Sequence, residues 1–217
     1  MSDRKPEPRI RALVTNDVVD YPHNDLANAA WFFRERLTKA FDNNEPVEGA
    51  FLDMIALVTM IAFSLEGYAN FLGDNIFGKK WGKLERTSVK NKLGTLGEVL
   101  ELSIDWDNRP YRTVGELIEL RNMFAHPKPH PAKIREQILI GTDSELRKLL
   151  RNHRPSYEER LTWDFIKTAY DDVEKIWIEL LHAAKIELHR TWSGGIQGIE
   201  LIEVLDAIQD HSDPPSA

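Results

Sequence analysis

Arg121, Asn122 and His126 lie within the six residues RNMFAH, directly ahead of PKPHP. A guanidinium stays charged at any ordinary pH and pairs naturally with phosphate, while an imidazole titrates near neutrality and can pass a proton. An arginine and a histidine at this spacing are therefore suited to moving a proton beside a bound phosphate. Proline at 127 biases His126 away from helical geometry, so the stretch is expected to be the last turn and a half of a helix. At 100° per residue Arg121 falls near the middle of the apolar arc formed by Val114, Leu117, Ile118, Leu120, Phe124 and Ala125, whereas Asn122 and His126 fall toward its border. A core-facing arginine needs an acidic partner or a fixed anion. Glu66, Asn70 and Asp74 form a polar stripe on an otherwise apolar segment, and Glu66 or Asn70 is expected to hydrogen-bond Arg121. A structural ion pair alone would also account for such an arginine.

The elements that must position these residues follow from hydrophobic spacing. NDLANAAWFFRERLTKAF places Leu26, Ala30, Phe33, Leu37, Ala40 and Phe41 at three- and four-residue intervals, which predicts an amphipathic helix from about Asn24, with Asn24 or Asp25 as cap. A second helix, from about Glu48 to Ile76, is apolar nearly all round in its first half and should form the centre of the core. Thr87 or Ser88 is placed to cap a third helix reaching about Leu102. Thr113 and Glu116 fit the capping-box pattern, which starts a fourth helix near Val114. EQILIG could form a short strand, SELRKLL a short helix, and the segment from about Thr162 a long closing helix with Phe165, Ala169, Val173, Ile176, Leu180 and Ala184 on one side. Residues 1–22 read as a flexible arm, 23–191 as the helical body, and 192–217 as a short helix followed by a disordered tail. The expected fold class is all-α, an antiparallel bundle of four to five main helices with short extra ones.

Composition narrows the chemistry further. The chain has 217 residues and no cysteine, which excludes disulfides, thiolate nucleophiles and cysteine-ligated metals and fits a cytoplasmic location. The polar N-terminus lacks the apolar core of a secretory signal, and the longest apolar run is about 13 residues against roughly 20 needed to span a bilayer, so no membrane segment is expected. Net charge is −7, unlike a generic nucleic-acid binder. Its distribution is uneven: residues 77–162 carry 17 Lys/Arg against 12 Asp/Glu, residues 163–217 only 4 against 11. The basic segment GKKWGKLERTSVKNK, with Lys79, Lys80, Lys83, Arg86, Lys90 and Lys92, could guide an RNA backbone with Trp81 as a stacking surface; a solvated connection with Trp81 packed in the core is the plainer reading. Arg147, Lys148, Arg151 and Arg154 form a second basic cluster. No phosphate-cradling glycine loop and no Gly-x-Ser-x-Gly elbow occurs. His126 and His130 are four apart, but HPKPH cannot be helical, so no metal site and no cofactor is expected.

LRNMFAHP resembles the Arg-Asn-x-x-x-His signature of the HEPN superfamily, all-α domains many of which are metal-independent endoribonucleases of toxin–antitoxin and antiphage defence systems. The upstream FSLEGYANFLGDNIFGKKWGKLERTSVKNKL is similar to the helix, loop and lysine-bearing helix start that precede the motif in many members, so the resemblance covers about residues 48–127. It implies that Arg121 holds the scissile phosphate, that His126 acts as base or acid for attack by the ribose 2′-OH to give a cyclic phosphate, and that Asn122 positions one of them. It also implies a homodimer, an RNA substrate and, in a toxin–antitoxin setting, an antitoxin protein. Lys79, Lys80, Lys83 and Lys128 are the candidate RNA contacts. Lys128 stands where one regulated subgroup has tyrosine, which puts regulation through that tyrosine in doubt. A rival reading is a helical dimer of the same build that binds RNA, a nucleotide or a partner protein without cleaving.

Overall fold

The computed structural model describes residues 9–129, 138, 140–151, 157 and 159–205. It divides into a helical unit, Tyr21–Thr191, and a second unit formed by the two chain ends, up to Asp20 and from Trp192. The helical unit contains α1 (Pro22–Phe41), α2 (Ala50–Phe77), a 3-10 turn (Gly78–Lys83), α3 (Val89–Val99), α4 (Tyr111–Ala125), α5 (Asp143–Arg151), α6 (Trp163–Ala184) and a closing 3-10 turn (Leu188–Thr191).

The second helix is the hub expected from its composition. α1, α3, α4 and α6 all pack on α2, which buries one broad face, including Leu57, Val58, Ile61, Leu65, Ala69 and Leu72, while Phe51 and Leu52 near its start stay exposed. Each fully buried Leu or Ile contributes about 1.5–3 kcal/mol of transfer free energy, so this one helix anchors the whole core. By length and a mean hydropathy of 1.7 it is apolar enough to cross a bilayer, a property the broken apolar run of the sequence does not display. Here that apolar surface is shared among four neighbouring helices. α2 ends where Gly78 turns to φ +53°, a conformation that costs a β-carbon-bearing residue and none to glycine.

Several helix ends differ from the sequence expectation because side chains found tertiary partners. α1 starts at Pro22 in place of Asn24, since proline tolerates the first helical turn; Asn24 Nδ2 donates instead to the Thr191 carbonyl at 2.9 Å. α4 begins at Tyr111, with Thr113 inside the first turn. The Thr113 hydroxyl donates to Asp172 Oδ2 at 2.6 Å, and Arg109 forks onto both oxygens of the same carboxylate at 2.8 and 2.9 Å. Asp172 is buried on α6, so this network ties the start of α4 to the closing helix. By contrast, Ser88, one of the two expected candidates, caps α3 by accepting from the Asn91 amide; α6 starts beside Thr162 as expected, and Thr162 caps it by accepting from the Phe165 amide. α6 stops at Ala184, where Lys185 turns left-handed, and not at the Ser-Gly-Gly beyond.

The chain ends correct the all-α expectation. Where an arm was expected, Arg9–Val19 forms strand β1; where a short helix was expected, Gly194–Leu205 forms β2, and the two pair antiparallel as a two-stranded sheet. Ile10, Ala12, Val14 and Val18 recur with period two, the spacing of a strand face, and Ile196, Ile199, Ile202 and Val204 are β-branched. Residues 206–217, and Glu136, Gln137 and Leu139 of EQILIG, lie outside the described residues; Ile138, Ile140 and Gly141 belong to no strand.

Candidate functional site

α4 carries RNMFAH to its C-terminal end, and α2 meets it there. Arg121 Nη2 donates to Glu66 Oε2 at 2.8 Å, the pairing expected from the sequence. Glu66 Oε1 accepts from Lys92 Nζ, also at 2.8 Å. One carboxylate is thus clamped between two cations from α3 and α4, leaving a formal net charge of +1 on the cluster. The Lys92 side chain is 0% exposed and that of Arg121 15% exposed. The Arg121 guanidinium also lies over the Phe63 ring, 5.2 Å from its centroid, an attraction between cation and ring face that a dry setting strengthens. Its Nε is buried with no hydrogen-bond partner.

The other edge of the guanidinium faces outward. Arg121 Nη1 donates to Asn122 Oδ1 at 3.0 Å, and Asn122 and His126 are both exposed. His126 caps α4 at φ −126°, ψ 61°, its amide donating to the Asn122 carbonyl at 2.9 Å. Pro127 therefore does what the sequence suggested: it stops the helix at the histidine and leaves the imidazole clear of helical packing.

Asn70 does not join this group. It accepts from the Trp81 indole N–H at 3.4 Å, and Trp81 is 4% exposed. The indole stacks beside Phe77 and lies flat on Gly73, whose missing side chain makes room for it. Trp81 is a core residue here and has no free face for a base, the plainer of the two sequence readings. Lys79, Lys80, Lys83 and Lys128 are exposed, and among the described residues no hydrogen bond or ion pair joins them to Arg121, Asn122 or His126. Lys92, which the sequence placed with the RNA-guiding cations, is instead the buried partner of Glu66. Its position was legible: Val89, Leu93 and Leu96 share its face of α3, so a lysine at 92 had to point inward. His130 and Arg154 lie outside the described residues, as do the side chains of Lys148 and Arg151.

Neither the Asp172 network nor the burial of His23 was marked by any pattern in the sequence. That imidazole is buried among Tyr21, Tyr68, Phe71 and Trp177, and burial pushes its pKa down. Nearby, burial pushes the Glu174 carboxyl up against the opposing effect of its hydrogen bond with Tyr68. His23 is enclosed in the core and Glu174 is half-buried, and among the described residues no hydrogen bond or ion pair joins either to Arg121, Asn122 or His126.

No family model, no curated protein and no solved structure matches this chain.

Proposed function

We propose that this chain is a HEPN-type endoribonuclease in which Arg121 binds the scissile phosphate, His126 moves the proton of the attacking 2′-OH or of the leaving 5′ oxygen, and Asn122 sets their orientation. The supporting observation is the split role of the Arg121 guanidinium: one edge is fixed by Glu66, the other is turned to exposed Asn122 beside exposed His126. A guanidinium fixed in advance at the border of the core needs little reorganisation as charge develops on a phosphate. Lys92 supports the same function at one remove. It neutralises Glu66, so the carboxylate positions the arginine without cancelling its charge. Attack by the 2′-OH displaces the 5′ oxygen and leaves a 2′,3′-cyclic phosphate, with His126 returning the proton it took or donating its own. A toxin–antitoxin or antiphage setting, with a homodimer as the active form, belongs to the same proposal.

The second reading, a bundle that binds RNA, a nucleotide or a partner protein without cleaving, draws on Glu66, because an arginine already paired inside the core has a structural reason to exist. Cleavage of a mixed RNA by wild type and His126→Ala, both in chelator, separates the two. The expected result is cyclic-phosphate ends from wild type and at least about a hundredfold slower cleavage by the variant. Equal cleavage by both proteins would end the catalytic proposal.

A further inference from the structure

The paired chain ends make an amphipathic ribbon. The register Ile10↔Val204, Ala12↔Leu201, Val14↔Ile199, Asn16↔Gln197 places these residues on one face. Arg9, Arg11, Leu13, Thr15 and Asp17 alternate onto the other, where Arg11 stands opposite Glu203, Leu13 opposite Glu200 and Asp17 opposite Ile196, so that the exposed Leu13 and Ile196 of this face are interspersed with charge. The first face holds no charge. Its only polar pair satisfies itself, Gln197 Nε2 donating to Asn16 Oδ1 at 2.9 Å. Yet Ile10, Val14, Ile199, Leu201 and Val204 are 50–71% exposed. A two-stranded ribbon is marginal in water unless its apolar face is covered, and a contiguous exposed apolar patch of this kind marks an interaction site.

We propose that this face is where two copies of the chain associate, ribbon on ribbon. An occupant must offer an uncharged aliphatic surface with the spacing of a pleated sheet, and the same face of a second copy offers it by construction. Stacking the two about a two-fold axis gives two sheets about 10 Å apart, four strands in all, with the charged faces outward. Five aliphatic side chains at this exposure, with Ala12 and Val18 beside them, present on the order of 500 Å² per copy. The pair then buries on the order of 1,000 Å², the lower bound for a specific interface. This face uses no residue of the α4 site, and it gives an interface to the homodimer that the proposed function assumes.

The full-length chain tests it by light scattering coupled to size exclusion, with Ile199→Glu on the apolar face and Thr15→Glu on the charged face. Wild type and Thr15→Glu are expected at twice the 25.0 kDa chain mass. Ile199→Glu should raise the dissociation constant at least about tenfold, because it buries an unpaired charge, while helical circular dichroism stays unchanged. The absence of cysteine gives a second readout that does not depend on stability: Val14→Cys should cross-link between copies with a short bismaleimide, and Thr15→Cys should not. A wild-type mass of 25.0 kDa throughout the concentration range overturns the proposal and leaves the face to a partner of another kind. A dimer equally insensitive to both glutamates, or equal cross-linking at both positions, overturns it in favour of a different interface.

Discussion

Replacing Glu66 with leucine removes the carboxylate that serves Lys92 and Arg121 at once. The cost follows from how differently the two cations are housed. The Lys92 side chain is 0% exposed, and among the described residues its ammonium is hydrogen-bonded to no other acceptor. Leaving such a charge unpaired costs about 3–5 kcal/mol. Arg121 loses one charge-assisted hydrogen bond, an effect of about 1.5–3 kcal/mol in a dry site, but it borders solvent and keeps Asn122, so water recovers part of it. The two losses share one carboxylate and do not add. A net loss of about 3–5 kcal/mol is a large fraction of the 5–15 kcal/mol typical of whole domains, and lowers the melting temperature by roughly 6–20 °C for a chain of this size. Urea unfolding followed by circular dichroism measures it. The decisive comparison is the double variant Glu66→Leu with Lys92→Met, which exchanges the pair for apolar groups of similar volume and should recover most of the loss. If Glu66→Leu alone costs under about 1 kcal/mol, or if Lys92→Met brings no recovery, the pair behaves as a solvated surface contact and the proposed fixing of Arg121 fails with it.

Two further outcomes test the packing. Gly73→Ala puts a methyl group into the Trp81 ring and should cost about 1–3 kcal/mol by overpacking, whereas Gly82→Ala, which meets no heavy atom within 4 Å, should change stability little; equal urea midpoints for the two variants would refute the seating of Trp81. For His23 the folded pKa lies below the ordinary value of 6.5 because burial disfavours the cation. The unfolded chain therefore binds the proton first as pH falls. Stability from this group is complete above about pH 6.5 and declines below it by at most about 1.4 kcal/mol per pH unit, until the folded value is reached. Glu174, raised by burial, works with the opposite sign, its contribution growing as pH falls through its raised value. His23→Phe should therefore flatten the decline between pH 7 and 5 in urea titrations, and parallel curves for variant and wild type would count against a neutral buried imidazole.

Local chemistry made much of this protein legible in advance. The apolar girth of the first half of α2 marked it as the hub, since a segment apolar nearly all round has to find several neighbours. Thr87 or Ser88 marked the start of α3 because a hydroxyl at that position meets a free amide whatever lies around it. The angular position of Arg121 required an acid, and the polar stripe on α2 narrowed the choice to Glu66 or Asn70.

What the sequence alone determined, then, were features fixed within a few turns of chain: which stretches of the helical body form helices, the break at Pro127, the inward arginine and the outward histidine. Tertiary structure decided what depended on a distant partner. Thr113 fits a capping box by spacing, yet its hydroxyl serves Asp172, 59 residues away, because a buried carboxylate gains more from a donor than an exposed helix end does. The acceptor that Lys92 finds, Glu66, lies 26 residues back on α2, and the Trp81 indole N–H meets Asn70 of the same helix, partners that no spacing around either residue names. The chain ends show the same principle at its largest separation. A strand is stable only when its hydrogen bonds find another strand, and the partner of Ile10 is Val204, too far along the chain for any local pattern to announce.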